Sequence, residues 1–171
     1  MAPALQVVVM GVTATGKSAV GTRVAGRLGM DYIEGDEFHP KSNIEKMSAG
    51  EPLTDDDRRP WLETLAGKLA ANREAGLGTV LGCSALRRSY RDILRGPNDS
   101  AAVAFIHLTA TFDVLRDRME HREHFMPASL LQSQFDTLEP LDDDERGVAL
   151  DVDSPLADVV DAAVAAVEQW D

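Results

Sequence analysis

The sequence predicts an α/β fold in three layers, a five-stranded parallel sheet with helices on both faces. Three observations carry this expectation. Short apolar runs of strand length alternate with longer stretches of helical spacing along the whole chain, the pattern of repeated β-α-β units. The first strand and helix are joined by Gly11-Val-Thr-Ala-Thr-Gly-Lys-Ser18, a loop of the form G-x-x-x-x-G-K-S that cradles phosphates. The 171 residues, 44% of them hydrophobic, suit a single domain over 1–171, since a domain takes roughly 150 residues.

Leu5-Gln-Val-Val-Val-Met10 is too short for a buried helix and rich in β-branched residues, so it reads as a buried strand. Beyond the glycine loop, Ala19, Val20, Arg23, Val24, Arg27 and Leu28 recur at helical spacing until Gly29. A second strand over 31–34 ends at Gly35-Asp36, and a short helix over 42–47 is closed by Gly50. The polar stretch 51–58 leads to a helix predicted from Pro60, a favoured first-turn residue, to Gly76. Strands follow over 79–83, 103–108 and 147–152. Between them lie a basic helix entered at Ser84 and stopped by Gly96-Pro97, a helix capped by Thr111, and a helix over 129–138. An amphipathic helix over 156–170 closes the chain, and Asp142-Asp-Asp-Glu145 reads as a solvated charge run.

A net charge of −12 argues against nucleic acid or an anionic membrane as partner. One cysteine excludes an internal disulfide and fits a reducing cytoplasm. The opening Met1-Ala-Pro-Ala lacks the basic region of a signal peptide, and no apolar run approaches the roughly 18 residues of a membrane helix. A cytoplasmic protein is the expectation.

Ligands of such sheets sit at the C-terminal ends of strands, here 11–18, 35–40, 83–88 and the loop after Leu108. Backbone N–H groups of Gly11, Val12, Thr13, Ala14, Thr15, Gly16, Lys17 and Ser18 form a nucleoside triphosphate site at a helix N-terminus. Lys17 supplies charge to the β- and γ-phosphates, and the Ser18 hydroxyl can ligate Mg²⁺. Asp36 is either a turn residue or a carboxylate that takes a proton from a substrate hydroxyl and holds Mg²⁺ through water. Glu34 faces the same way and can share the metal. No acid closes the third strand, where Cys83-Ser84 stands, so the burden falls on Asp36. Cys83 reads as a small buried hydrophobe. His39-Pro40 is a structural turn or a hydrogen-bond partner for a polar substrate. Arg58 with Arg59, and Arg87 with Arg88 and Arg91, are solvated ion-pair partners or binders of an anionic substrate. Arg116, Arg118 and Arg122 are surface charges or lid cations that meet the transferring phosphoryl.

Taken in order, these residues resemble the gluconokinases of the P-loop small-molecule kinases. The resemblance rests on 11–18, Gly35-Asp36 with His39-Pro40, and Asn43-Ile-Glu-Lys-Met47. It continues through Gly50-Glu-Pro-Leu-Thr-Asp-Asp-Asp-Arg58 with Pro60-Trp-Leu62, Cys83-Ser-Ala-Leu86 with Tyr90-Arg-Asp92, and His124-Phe125. Leu131-Gln-Ser-Gln-Phe135 with Leu138-Glu-Pro140 completes it. It implies an adenylate/shikimate-kinase-like core with a helical lid over approximately 118–135, and a homodimer. The implied reaction is phosphorylation of the 6-hydroxyl of D-gluconate by ATP with Mg²⁺. The implied catalytic residues are Lys17, Asp36, Arg118 and Arg122, with Ser18 and Asp36 at the metal. Asp36, His39, Arg58, Ser84, Arg87, Arg88 and Gln134 would face the sugar acid. The chain departs from the usual pattern at Ala14 for a glycine, Glu34 for an aspartate, Arg87 for a lysine, and a lid reading Arg122-Glu-His-Phe125 that is shorter by one residue. The alternatives are a kinase of another hydroxy acid such as shikimate, and a non-catalytic nucleotide-binding regulator. Against the latter, the guanine-reading N-K-x-D motif of switch GTPases is absent.

Overall fold

Val7, Val8, Val9 and Met10 expose no surface, as a strand covered on both faces requires. The computed structural model describes residues 4–96, 102–121 and 128–170. In it this strand, β1 (Gln6–Met10), is the middle of a five-stranded sheet. On one side lie β3 (Thr79–Gly82) and then β2 (Asp31–Glu34), and on the other β4 (Val103–Thr109) and then β5 (Gly147–Asp151). Every pair is parallel, and Val8 stands opposite both Leu81 and Phe105.

Seven helices among the described residues cover the sheet: α1 (Lys17–Leu28), α2 (Lys41–Ser48), α3 (Asp55–Glu74), α4 (Arg88–Arg95), α5 (Phe112–Glu120), α6 (Ala128–Thr137) and α7 (Leu156–Trp170). A 3₁₀ turn, Gly35–Phe38, follows β2. Successive side chains of β1 point to opposite faces. Val7 and Val9 pack with Val20 and Val24 of α1 and with Val160 and Ala163 of α7. Val8 and Met10 pack with Leu62 and Leu65 of α3, Leu94 of α4 and Leu115 of α5. After β1 the chain crosses to β2, returns to β3, and only then passes to β4 on the other side of β1. The connections therefore diverge beside β1, and a crevice opens at its C-terminal end. Among the described residues no helix is long and apolar enough to cross a membrane.

Two local expectations change. Helix α3 begins at Asp55, not at Pro60. Thr54 and Asp57 form a reciprocal cap: the Asp57 N–H donates to Thr54 Oγ1 at 3.1 Å, and the Thr54 N–H donates to Asp57 Oδ2 at 2.9 Å. With Asp55, Asp56 and Asp57 all in the first turn, favourable charge at the positive helix end outweighs the hydrogen bond that Pro60 forfeits. Thr54→Ala is expected to cost about 1 kcal/mol. In a chain of this length that is a fall of about 2–4 °C in Tm; an unchanged melt would show that the cap contributes nothing.

The acidic run 142–145 also departs from expectation. It is not merely solvated, because Glu145 is buried. Its carboxylate accepts from Arg91 Nε at 2.7 Å, Arg91 Nη2 at 3.0 Å and Arg95 Nη2 at 2.5 Å. Arg88 reaches Asp142 at 3.0 Å and Asp144 at 2.7 Å. The run is thus one half of an ion-pair network that joins the α6–β5 loop to α4.

Candidate active site

The loop 11–18 occupies the crevice beside β1. Gly11 has φ +147, and a Cβ there would lie 2.7 Å from the Leu108 carbonyl oxygen, so no other residue fits. Ala14 also adopts a left-handed conformation, φ +68, and accepts strain a glycine would not carry. The buried Thr15 hydroxyl donates to the Val12 carbonyl at 2.9 Å, pinning the loop from within. Gly16, at φ +91, precedes α1, whose first N–H groups have no intrahelical acceptor and face the loop's concave side. Lys17 Nζ donates to the carbonyls of Gly11 (3.1 Å) and Val12 (3.0 Å), so its charge is folded over the same concavity.

On one side of this loop lies a cavity of about 90 Å³. A water takes roughly 10–15 Å³ on this scale, so the space suits a small polar molecule and not a nucleotide. Lys17, Asp36, His39, Arg58, Ser84 and Gln134 all line it. The 3₁₀ turn presents Asp36, and its position is set by the Trp61 indole, which donates to the Gly35 carbonyl at 2.8 Å. His39 stacks on Trp61 with ring centroids 3.9 Å apart. Asn43 Nδ2 donates to His39 Nδ1 at 3.3 Å and to the Asp57 carbonyl at 2.9 Å; in that tautomer the Nε2 proton faces Asp36, 3.7 Å away. Burial lowers the His39 pKa below the usual imidazole range; Asp36 opposes that shift and Arg58 adds to it. The ring is therefore neutral at pH 7 and orients the turn as a hydrogen-bonding group.

Arg58 donates to the Tyr90 hydroxyl at 2.9 Å, and Tyr90 in turn donates to Asp55. Arg87 stands 3.6 Å from the other Asp55 oxygen, beside the cavity and outside its lining. Arg88 is likewise not brought to the cavity, being held by Asp142 and Asp144. Ser84 is fixed by its carbonyl, which accepts from the Gly11 N–H at 3.2 Å. Gln134 reaches across from α6 and accepts from the Thr13 N–H at 2.6 Å, linking the expected lid segment to the phosphate loop.

A second cavity lies on the opposite side of the loop, lined by Thr15, Gly16, Arg118, Val152, Ser154 and Val159 among others. Arg118 donates to the Val152 carbonyl at 2.7 Å and the Ala14 carbonyl at 3.4 Å, so it stands over this second cavity. The sequence reading omitted the end of β5, although it lies on the same sheet edge as the other loops; that placement was the available signal. Arg122 falls outside the described residues. Cys83 is buried, and burial pushes its thiol up to about 12, which suits a core residue and not a nucleophile.

Among the described residues no group of three or more His, Cys, Asp or Glu could hold a metal ion. A cation here must share its shell with phosphates and water, the habit of Mg²⁺. The donor set fits that: the Ser18 hydroxyl donates its hydrogen bond to Glu34, which leaves the Ser18 oxygen lone pairs available. Together, a phosphate loop with a small polar cavity on one flank and a second pocket on the other define a P-loop kinase. The family model described as "Shikimate kinase" matches residues 13–146. A gluconokinase from Gluconobacter oxydans is 54% identical, covering 81% of this chain and 77% of its own. The thermoresistant gluconokinase of Escherichia coli is 42% identical, covering 95% and 93%. A solved gluconokinase from Sinorhizobium meliloti superposes with a TM-score of 0.87 at 48% identity, covering 98% of this chain and 93% of its own. The chain belongs to the gluconokinase family, within the shikimate-kinase type of P-loop kinases.

Proposed function

We propose that this chain transfers the γ-phosphoryl group of ATP to the 6-hydroxyl of D-gluconate, giving 6-phospho-D-gluconate and ADP. The observation that carries the reading is the small cavity in which Asp36, Arg58 and Lys17 meet beside the phosphate loop. Asp36 takes the acceptor hydroxyl proton as that oxygen bonds the γ-phosphorus. The bond to the β–γ bridging oxygen breaks, and its electron pair leaves on ADP. The loop N–H groups other than those of Gly11 and Thr13, with Lys17, hold the phosphates in line; Arg122 offsets charge on the transferring group, and Arg118 holds the nucleotide from the side of the second cavity. Arg58 binds the substrate carboxylate, with Arg87 behind it on the far side of Asp55, while His39, Ser84 and Gln134 bind hydroxyls. Arg88, tied to Asp142 and Asp144, shapes the pocket from behind. Ser18, with Asp36 and Glu34 acting through water, would hold Mg²⁺, which when bound neutralises charge on the β- and γ-phosphates. The second cavity, roofed by Arg118, takes the base end of ATP.

The family resemblance also supports one kinase domain over 1–171 with a lid at about 118–135, working as a homodimer in the cytoplasm. The test is ADP release from Mg-ATP with D-gluconate, shikimate, glycerate and neutral polyols. Turnover confined to gluconate is the expected result. Turnover on shikimate alone would move the specificity, and silence across the panel with ATP still raising Tm would overturn the reading in favour of a nucleotide-binding regulator.

A further inference from the structure

Tyr32 lies on β2, two residues before Glu34, and the fold has cleared a slot for its ring. A Cβ on Gly21 of α1 would stand 2.5 Å from Tyr32 Cε1, and one on Gly82 of β3 would stand 2.3 Å from the Tyr32 hydroxyl. Two elements thus leave out a side chain at the places where this ring passes. The ring packs against the core that α1 and α7 share with the sheet, and its hydroxyl donates to Glu34 Oε2 at 3.0 Å. The Ser18 hydroxyl donates to the same oxygen, Oε2.

This convergence has a chemical consequence. With its O–H directed at Glu34, the Ser18 hydroxyl turns its oxygen lone pairs toward a cation. Glu34 sits at the end of a flexible side chain, whose rotamer freedom opposes holding that one position. A second donor on the same oxygen, mounted on a ring wedged between α1 and β3, restricts that freedom. The sheet supplies no acid at the end of β3 to do the work instead, since Gly82-Cys83 stands there.

We infer that Tyr32 is a positioning residue for the cation end of the site: by holding Glu34 against Ser18 it sets the affinity for the Mg²⁺ that accompanies the nucleotide. The inference rests on the phosphoryl-transfer reading for its meaning, but its test does not need turnover. Tyr32→Phe keeps the ring in its slot and removes only the hydroxyl. The measurement is the Mg²⁺ concentration giving half of the thermal protection conferred by Mg-ADP, at fixed ADP.

Loss of one hydrogen bond to a carboxylate is expected to raise that midpoint about three- to tenfold, with protection by ADP alone unchanged. In a Glu34→Ala background the same substitution is expected to add no further shift, because the group it positions is gone. An unmoved midpoint would overturn the inference. So would a lower Tm without a midpoint shift, which marks a purely structural tyrosine, or a shift that persists without Glu34. Wild-type protection by ADP that is indifferent to Mg²⁺ would overturn it as well. A shifted midpoint in a protein that phosphorylates no gluconate would support the role of Tyr32 and sink the acceptor assignment alone.

Discussion

Asp36→Asn is expected to lower kcat for gluconate by about two to four orders of magnitude, the range attributed to a positioned general base. The asparagine keeps the shape of the side chain and the turn that carries it, and the Asp36 side chain is 73% exposed, so no buried group is orphaned. Its KM for gluconate should change far less than kcat, because the proton is taken only as the transition state forms. Protection by ATP without Mg²⁺ in a thermal melt should stay as in the wild type, since Lys17 and the 11–18 loop are untouched. Steady-state rates at saturating ATP measure the effect. Wild-type turnover in this variant would remove Asp36 from the chemistry and leave its place on the 3₁₀ turn as its only role.

Glu145→Gln should produce the largest loss of stability, about 3–5 kcal/mol, because it leaves the buried Arg91 without its counter-charge and the mostly buried Arg95 with Asp92 alone. For Glu145 burial alone would raise the pKa. Hydrogen bonds from Arg91 and Arg95 more than offset that and hold it at about 2. A carboxylate depressed in the folded state contributes stability that is fully present above its ordinary value and is lost as pH falls through the folded one. Wild-type stability should therefore fall between about pH 4.5 and pH 2 with a component that the glutamine variant lacks. Urea midpoints at pH 7 and pH 3.5 for both proteins measure this. Equal stability at pH 7, or equal acid sensitivity, would show the network to be dispensable.

The effect of that network reaches the cavity. Arg91 Nη1 donates to the Ala85 carbonyl at 2.9 Å, the Glu139 N–H donates to the Leu86 carbonyl at 2.7 Å, and Glu139 accepts from the Arg88 N–H at 2.9 Å. Ala85 itself has φ +47, a conformation an alanine holds only when its surroundings impose it. The wall formed by Ser84 and Leu86 is thus set from behind by charges that never touch a substrate.

Much of the molecule was legible before any tertiary contact was known. β1, the 11–18 loop and α1 declare themselves because each signal is local: an apolar run of strand length, glycines at turn positions, and side chains at helical spacing. The five strands and the seven α-helices among the described residues are all legible in the sequence, with the largest boundary shift at α3, where a capping box overrode the proline. Asp36 is a candidate because it follows a strand end, and Arg58 because an arginine near the site of so acidic a chain suits an anionic substrate. Their meeting with Lys17 in one cavity required the ends of β1 and β2, with β3 between them, and the first turn of α3 to converge.

What stayed hidden depends on partners far apart along the chain. Glu145 reads as one acid in a run of four, and its buried role arises from Arg91, 54 residues earlier. Tyr32 reads as an ordinary strand aromatic until Gly21 and Gly82, on two other elements, are seen to make room for its ring. The sequence by itself determined the fold class, the phosphate loop and the family, because local hydrophobic periodicity and backbone conformation are encoded by neighbouring residues. Only the tertiary structure decided which arginines face the cavity and which serve buried carboxylates. Pairing between charges is a matter of distance and burial, and neither is a property of a residue and its neighbours in the chain.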